Sequence, residues 1–327
     1  MSPKDTASGK SNGTSRKAPT RWADLKPEPD IVNALARAGT RPPDIPPDGA
    51  EEQEARRERH AWSKSFADGC AVAVAEAFRK SRLLKKKKKK KVLPESIEKG
   101  TEPVTPLGSG TSKRIDVTIA DPVLGLEIGV SLKGLNFKDG KNRNYDKNVT
   151  GRLYELGDEV RLVHEHLPHC FMVGVFFLPV ESTDDKRSKS TPSSFANTVI
   201  KLRGRTGRLD AALGAQSMRC DASFVGLYTT GEEGLDPGVI RFFDTSNPPP
   251  MRGRPRVADT LSLSELATDI IARAAFSVTK IEWGHPEDED GNVEEPPEPA
   301  GLSELEELLV SEDESDAEDE QPEFDQD

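Results

Sequence analysis

Asp116, Ser131 and Lys133 are the side chains whose types and spacing could do chemistry; they lie in residues 114–133, RIDVTIADPVLGLEIGVSLK. A carboxylate can hold a divalent cation against a phosphoryl oxygen, and an amine beside it can offset the negative charge that builds on phosphorus. The neighbouring residues say how such groups would be brought together. Ile115, Val117 and Ile119 are apolar, with Asp116 and Thr118 between them. Leu126, Ile128, Val130 and Leu132 are apolar, with Glu127, Gly129, Ser131 and Lys133 between them. A period of two marks a strand with one buried face, so the spacing predicts two strands joined at Asp121-Pro122-Val123-Leu124-Gly125. Pairing Asp121 with Leu126 puts Asp116 opposite Ser131 and diagonal to Lys133, at Cβ separations of about 5 and 7 Å. A slip of one residue would turn the whole set to the other face.

An Asp followed on the next strand by x-x-Lys resembles the PD-(D/E)XK nucleases, the fold of many restriction endonucleases. The resemblance covers roughly residues 52–180. It implies a restriction-endonuclease-like α/β fold, with a mixed central sheet flanked by helices. It also implies Mg²⁺- or Mn²⁺-dependent hydrolysis of phosphodiester bonds in duplex DNA, as in a restriction-type endonuclease. The implied catalytic residues are Asp116, Lys133 and Glu155; Asp116, Glu127 or Glu155, and the carbonyl of Leu132 would hold the metal. The position that carries an acid in the family holds Ser131 here. Some members with Ser-x-Lys take the missing carboxylate from the following helix, which makes Glu155 one candidate. Glu127 is the other, about 13 Å from Ser131 along an ideal strand unless a bulge at Gly129 shortens the path. Glu76 is either the acid that the family's first helix often carries or a surface residue. Lysine keeps its proton at neutral pH unless burial removes it, so an electrostatic role suits Lys133 better than that of a base. Ser131 also motivates a rival reading, a catalytically decayed nuclease fold that binds DNA or serves as an assembly protein.

The elements that must position these residues are legible by period. Residues 51–84 repeat Trp62, Phe66, Cys70, Val74 and Phe78 at helical spacing, and Leu153, Leu156, Val160 and Val163 give a buried helical stripe that runs to about His166. Arg152, Glu155 and Glu159 fall on another face of that helix. Asn144 or Asn148 is placed to cap it. CFMVGVFFL at 170–178 is continuously apolar, as in a central strand covered on both sides. The order is then helix, strands, helix, strand, the order the resemblance calls for. A helix over 195–213 capped by Ser193 or Ser194, paired strands at 224–229 and 239–243, a last helix at 264–276, a short strand near 104–107 and a docked helix at 30–38 complete the reading.

Charge divides the chain. The net charge is −11, yet from Glu287 onward there are 20 of the 57 acids and none of the 46 lysines and arginines, which leaves the rest basic. A basic body with an acidic tail suits contact with polyanions. The candidate nucleic-acid contacts are Lys138, Lys141 and Arg143 after the second strand, Lys201, Arg203 and Arg205 on the later helix, and Arg252 and Arg254 in an Arg-Gly-Arg-Pro stretch like the core of an AT-hook. Lys85 to Lys91 form an unbroken lysine run. The expected organisation is an arm at 1–50, a nuclease-like domain at 51–281 carrying the lysine run, and an acidic tail at 282–327 that could engage a partner; a homodimer is also open. His164, His166 and His169 lack the spacing of a helical zinc pair and read as surface histidines. Cys70, Cys170 and Cys220 lie far apart in apolar surroundings, as free thiols of a reducing compartment do. No apolar run reaches transmembrane length, so the expectation is a cytoplasmic protein without a membrane partner.

Overall fold

The computed structural model describes residues 21–278, apart from 46–51, 86–89, 98–103, 109–110, 123–124, 141–142, 187, 189, 209–217 and 232–233. The arm before Arg21, Lys86 to Lys89, Lys141, residues 209–213 of the expected later helix and the acidic tail lie outside the described residues. The helices are α1 (Pro29–Ala38), α2 (Glu52–Lys80), α3 (Arg82–Lys85), α4 (Val149–His166), α5 (Ser194–Arg203) and α6 (Leu263–Val278). The strands are β1 (Lys91–Leu93), β2 (Val104–Gly108), β3 (Thr111–Arg114), β4 (Val117–Asp121), β5 (Gly125–Gly134), β6 (Phe171–Pro179), β7 (Ala222–Tyr228) and β8 (Ile240–Asp244).

The apolar run is the middle of the sheet. Every residue of β6 is buried. Phe171, Val173, Val175 and Phe177 belong to one core cluster, and Met172, Phe176 and Leu178 to the other. A six-stranded mixed sheet runs β1-β4-β5-β6-β7-β8. Its β1, β4 and β5 pair antiparallel, β5, β6 and β7 parallel, and β8 antiparallel to β7. Helices α1, α2 and α6 supply the cluster on one face, and α4 and α5 the cluster on the other. Among the described residues, no helix is long and apolar enough to cross a membrane. The three cysteines are free and buried.

Several expectations are corrected. The first strand of the main sheet is β1, at the end of the lysine run; the segment near 104–107 is β2, which pairs with β3 in a separate ribbon. Helix α5 stops at Arg203, where Gly204 takes the cap position, and does not run on towards 213. Ser193 caps it as expected, accepting a hydrogen bond from the Ala196 N–H, whereas Asn148 precedes α4 without a side-chain cap bond. At the turn, Asp121 pairs with Gly125 and not with Leu126. A bulge follows: Ala120 pairs with Leu126 but Ile119 with Ile128, so Glu127 is the extra residue. The bulge lies at Glu127, not Gly129, and it sends Leu126 to the α4 face while Ile128, Val130 and Leu132 stay on the α2 face.

Helix α1 is seated on α2 at a glycine. Ile31 is fully buried, and a Cβ added at Gly69 would lie 2.5 Å from the Cβ of Ala34 and 2.8 Å from its Cα. Gly69→Ala therefore gains about 1 kcal/mol of helix propensity but forces two backbones apart, at a cost of about 1–3 kcal/mol. Urea unfolding should show a lower midpoint for Gly69→Ala; an unchanged or higher midpoint would mean that α1 is not held this closely.

Candidate functional site

At the far end from the turn, β4 and β5 have the register the sequence predicts: Val117 pairs with Val130 and Thr118 with Gly129. The chain bends at Asp116, and its Oδ2 accepts a hydrogen bond from the Leu132 N–H at 2.5 Å. The strand's next two polar positions are bound to a helix. Ser131 Oγ donates to Glu159 Oε2 at 2.6 Å, and Lys133 Nζ donates to Glu159 Oε1 at 2.9 Å. Lys113, on the ribbon, places its Nζ 3.6 Å from Glu159 Oε1. The Lys133 and Glu159 side chains are only 11% and 18% exposed, so the pair is far less screened than a surface ion pair.

Asp116 and Lys133 line one cavity of about 230 Å³. The flank of α2 forms one wall, through His60, Lys64, Ala67 and Asp68 among others; Leu132 contributes to the floor, and Arg152 on the first turn of α4 to the far lip.

The acid that α4 brings to the strand is Glu159. Glu155, one turn earlier, is half-exposed and bound to Arg152 at 2.7 Å. Glu127 pairs with Lys90 at the bulge, outside the lining of the cavity. Glu76 pairs with Arg79 at 2.5 Å and Lys80 at 3.9 Å; the acid of α2 that reaches the cavity is Asp68, two turns before it. Neither Glu159 as the contributing acid nor Asp68 was singled out by sequence. Glu159 shares a helix face with Glu155, so the stripe was visible and the correct turn was not.

Among the described residues, no group of three His, Cys, Asp or Glu converges as a ready cage for a metal. A carboxylate offers about four acceptor sites, and Glu159 already receives Ser131, Lys133 and the approach of Lys113. Asp116 and Asp68 are carboxylates that line the cavity, and Glu159 is bound to Lys133; carboxylate oxygens suit a hard cation such as Mg²⁺, which is commonly held by one or two carboxylates with water and phosphate. His164 is buried, not at the surface: its Nε2 lies 3.3 Å from Asp221 Oδ2, whose partner oxygen receives Arg208 Nε at 3.0 Å.

Compared with family models, curated proteins and solved structures, the chain matches none.

Most of the cations expected at nucleic acid are tethers within the fold. Lys138 sits 3.8 Å from Asp44 and over the Tyr145 ring. Lys201 donates to Thr150 Oγ1, Arg203 donates to the Thr245 carbonyl, and Arg205 stacks over Tyr154. Arg252 binds Asp184 and the carbonyls of Lys186 and Ser188. Arg254 is half-buried, and the adjoining Pro255 carbonyl accepts the Trp22 indole N–H at 2.8 Å. The Arg-Gly-Arg-Pro stretch is thus sewn into the surface, not a free arm. Arg143 remains exposed. Near it, Asp146 receives Lys186 at 2.7 Å and Asn197 at 2.6 Å. Burial raises the Asp146 pKa, but hydrogen bonds from Lys186, Asn197 and Ser194 outweigh it and hold the carboxyl below its usual range.

Two outcomes are expected. Glu159→Ala leaves Lys133 and Ser131 without their acceptor and should lower stability by about 1–3 kcal/mol, whereas Glu155→Ala should stay within about 0.5 kcal/mol of the parent; denaturant melts of both variants check this. A carboxyl whose folded pKa lies below its unfolded value stabilises the fold fully above the unfolded value and loses that contribution as pH falls through the folded one. The stability gap between the parent and Asp146→Asn should therefore narrow on acidification below the usual carboxylate range, as read from thermal melts across that window.

Proposed function

We propose that this protein hydrolyses nucleic-acid phosphodiester bonds, with DNA as the expected substrate, through a divalent cation held by Asp116 and Glu159. The observation that carries this reading is the meeting of Asp116 and Lys133 on one small cavity, with Glu159 bound directly behind Lys133. The order of helix, antiparallel strands, helix and parallel strand supports it, because it is the order that the resemblance to PD-(D/E)XK nucleases calls for.

Each residue has a task that its contacts allow. The Leu132 N–H fixes the Asp116 carboxylate at the mouth of the strand. Glu159 orients the Lys133 amine, which would stabilise the extra charge on phosphorus in the transition state. Ser131 holds the second oxygen of Glu159, taking the place in the strand where the family carries its own acid. Lys64 on the α2 wall would draw the negatively charged backbone towards the cavity. When bound, Mg²⁺ or Mn²⁺ supplies Lewis-acid polarisation and lowers the pKa of a water.

A second reading has a specific observation in its favour: both oxygens of Glu159 are engaged by donors of the protein itself, as in a site retained for its fold and for binding. One experiment separates the two. Purified protein is incubated with plasmid and with a single-stranded oligonucleotide, with Mg²⁺, Mn²⁺ or EDTA. Metal-dependent cleavage is expected, with Asp116→Asn and Lys133→Ala each lowering it by about 10²-fold or more while circular dichroism stays unchanged. Full cleavage by either variant would sink the hydrolase reading. Salt-sensitive binding without any cleavage would leave the binding module, whose log–log salt slope should be about −0.7 to −0.9 per phosphate contacted.

A further inference from the structure

The cavity that holds Asp116 and Lys133 is narrow for a nuclease acting on an intact double helix. Its volume of about 230 Å³ exceeds the roughly 150 Å³ of a cavity that takes up one benzene ring. That is the scale of a single base with part of its sugar. Lys133 is only 11% exposed, so a phosphate meets its amine by entering this space. A stacked base pair exceeds this volume, so a base that enters together with its phosphate does so unpaired. The strand has to part from its complement at the nucleotide that goes in, as it does for enzymes that draw a base out of the stack.

The lining suits such a guest. Ala67 and Leu132 give an apolar wall for a base or sugar, and the Asp68 carboxylate is an acceptor of the kind that receives an exocyclic amine. Lys64 on α2 and Arg152 on α4 place cations on the two helices that border the opening, where phosphates on either side of the inserted nucleotide would pass. Among the described residues Arg152 is held by the exposed Glu155, a weak pair that a phosphate can displace. We infer that the cavity takes one unpaired nucleotide, so that the protein engages single-stranded or locally opened nucleic acid in preference to intact duplex. The inference rests on the proposed phosphodiester site for the position of the phosphate, but it concerns binding and can be tested without cleavage.

Fluorescence anisotropy of one fluorescein-labelled oligonucleotide, alone, annealed to its complement, or annealed so as to leave one base bulged, decides the matter, with the full chain in EDTA. The single strand and the bulged duplex should bind about tenfold more tightly than the perfect duplex. Ala67→Phe, which fills the space, should abolish that preference. Lys64→Glu, an exposed change that leaves the core untouched, should weaken single-strand binding by a similar factor, and it stands as the test if Ala67→Phe does not fold. Equal affinity for the three forms, or a preference that neither variant alters, overturns the inference. Single-strand preference without metal-dependent cleavage removes the hydrolase reading and keeps this one; cleavage of perfect duplex with no preference does the reverse. Absence of binding to all three forms removes both.

Discussion

Glu159 is the point at which three separate pieces of the chain are tied. Its carboxylate takes Ser131 and Lys133 from β5 and is approached by Lys113 from the β2–β3 ribbon. An ammonium as enclosed as that of Lys133 would be costly without a counter-charge, so α4 cannot slide along the sheet without losing this contact. The height of α4 above β5 is set here, and with it the position of Arg152 at the cavity. Asp116 is fixed from the other side, through the backbone of Leu132. The cavity end of the sheet is thus defined by one ion pair and one side-chain-to-backbone bond on consecutive residues of a single strand.

Much of this was readable from residue order. Alternation found β4 and β5 and paired them correctly where Asp116 leaves the strand, because a half-buried face tolerates only one phase. Continuous burial found β6, and the 3.6-residue period found α2, α4 and α6. The extra residue at Glu127 was not readable: it shifts the turn end alone and leaves the phase from Ile128 to Leu132 intact. Nor was the choice between Glu155 and Glu159. They occupy one stripe a turn apart, about 5.4 Å along the axis, and the seating of α4 on β5 decides which is level with Lys133.

Charge counting had a different weakness. A lysine or arginine at a protein surface and one that laces two segments together look alike in a sequence. Arg252, Arg203 and Lys138 are of the second kind, bonded to carbonyls or to Asp44. What remains at the cavity is a smaller set, Lys64 on α2 and Arg152 on α4, and Lys64 comes from a helix whose sequence signal is its apolar stripe.

Helix α2 has two tasks on adjacent faces. Trp62, Phe66, Cys70 and Phe78 lie in the core, while His60, Lys64, Ala67 and Asp68 form the wall of the cavity. Its 29 residues make a stiff rod about 43 Å long, with no proline among them to act as a hinge. The wall therefore cannot swing out alone: widening the opening means lifting aromatic side chains off the sheet, so the gap's width is governed by the same cohesion that keeps the molecule folded.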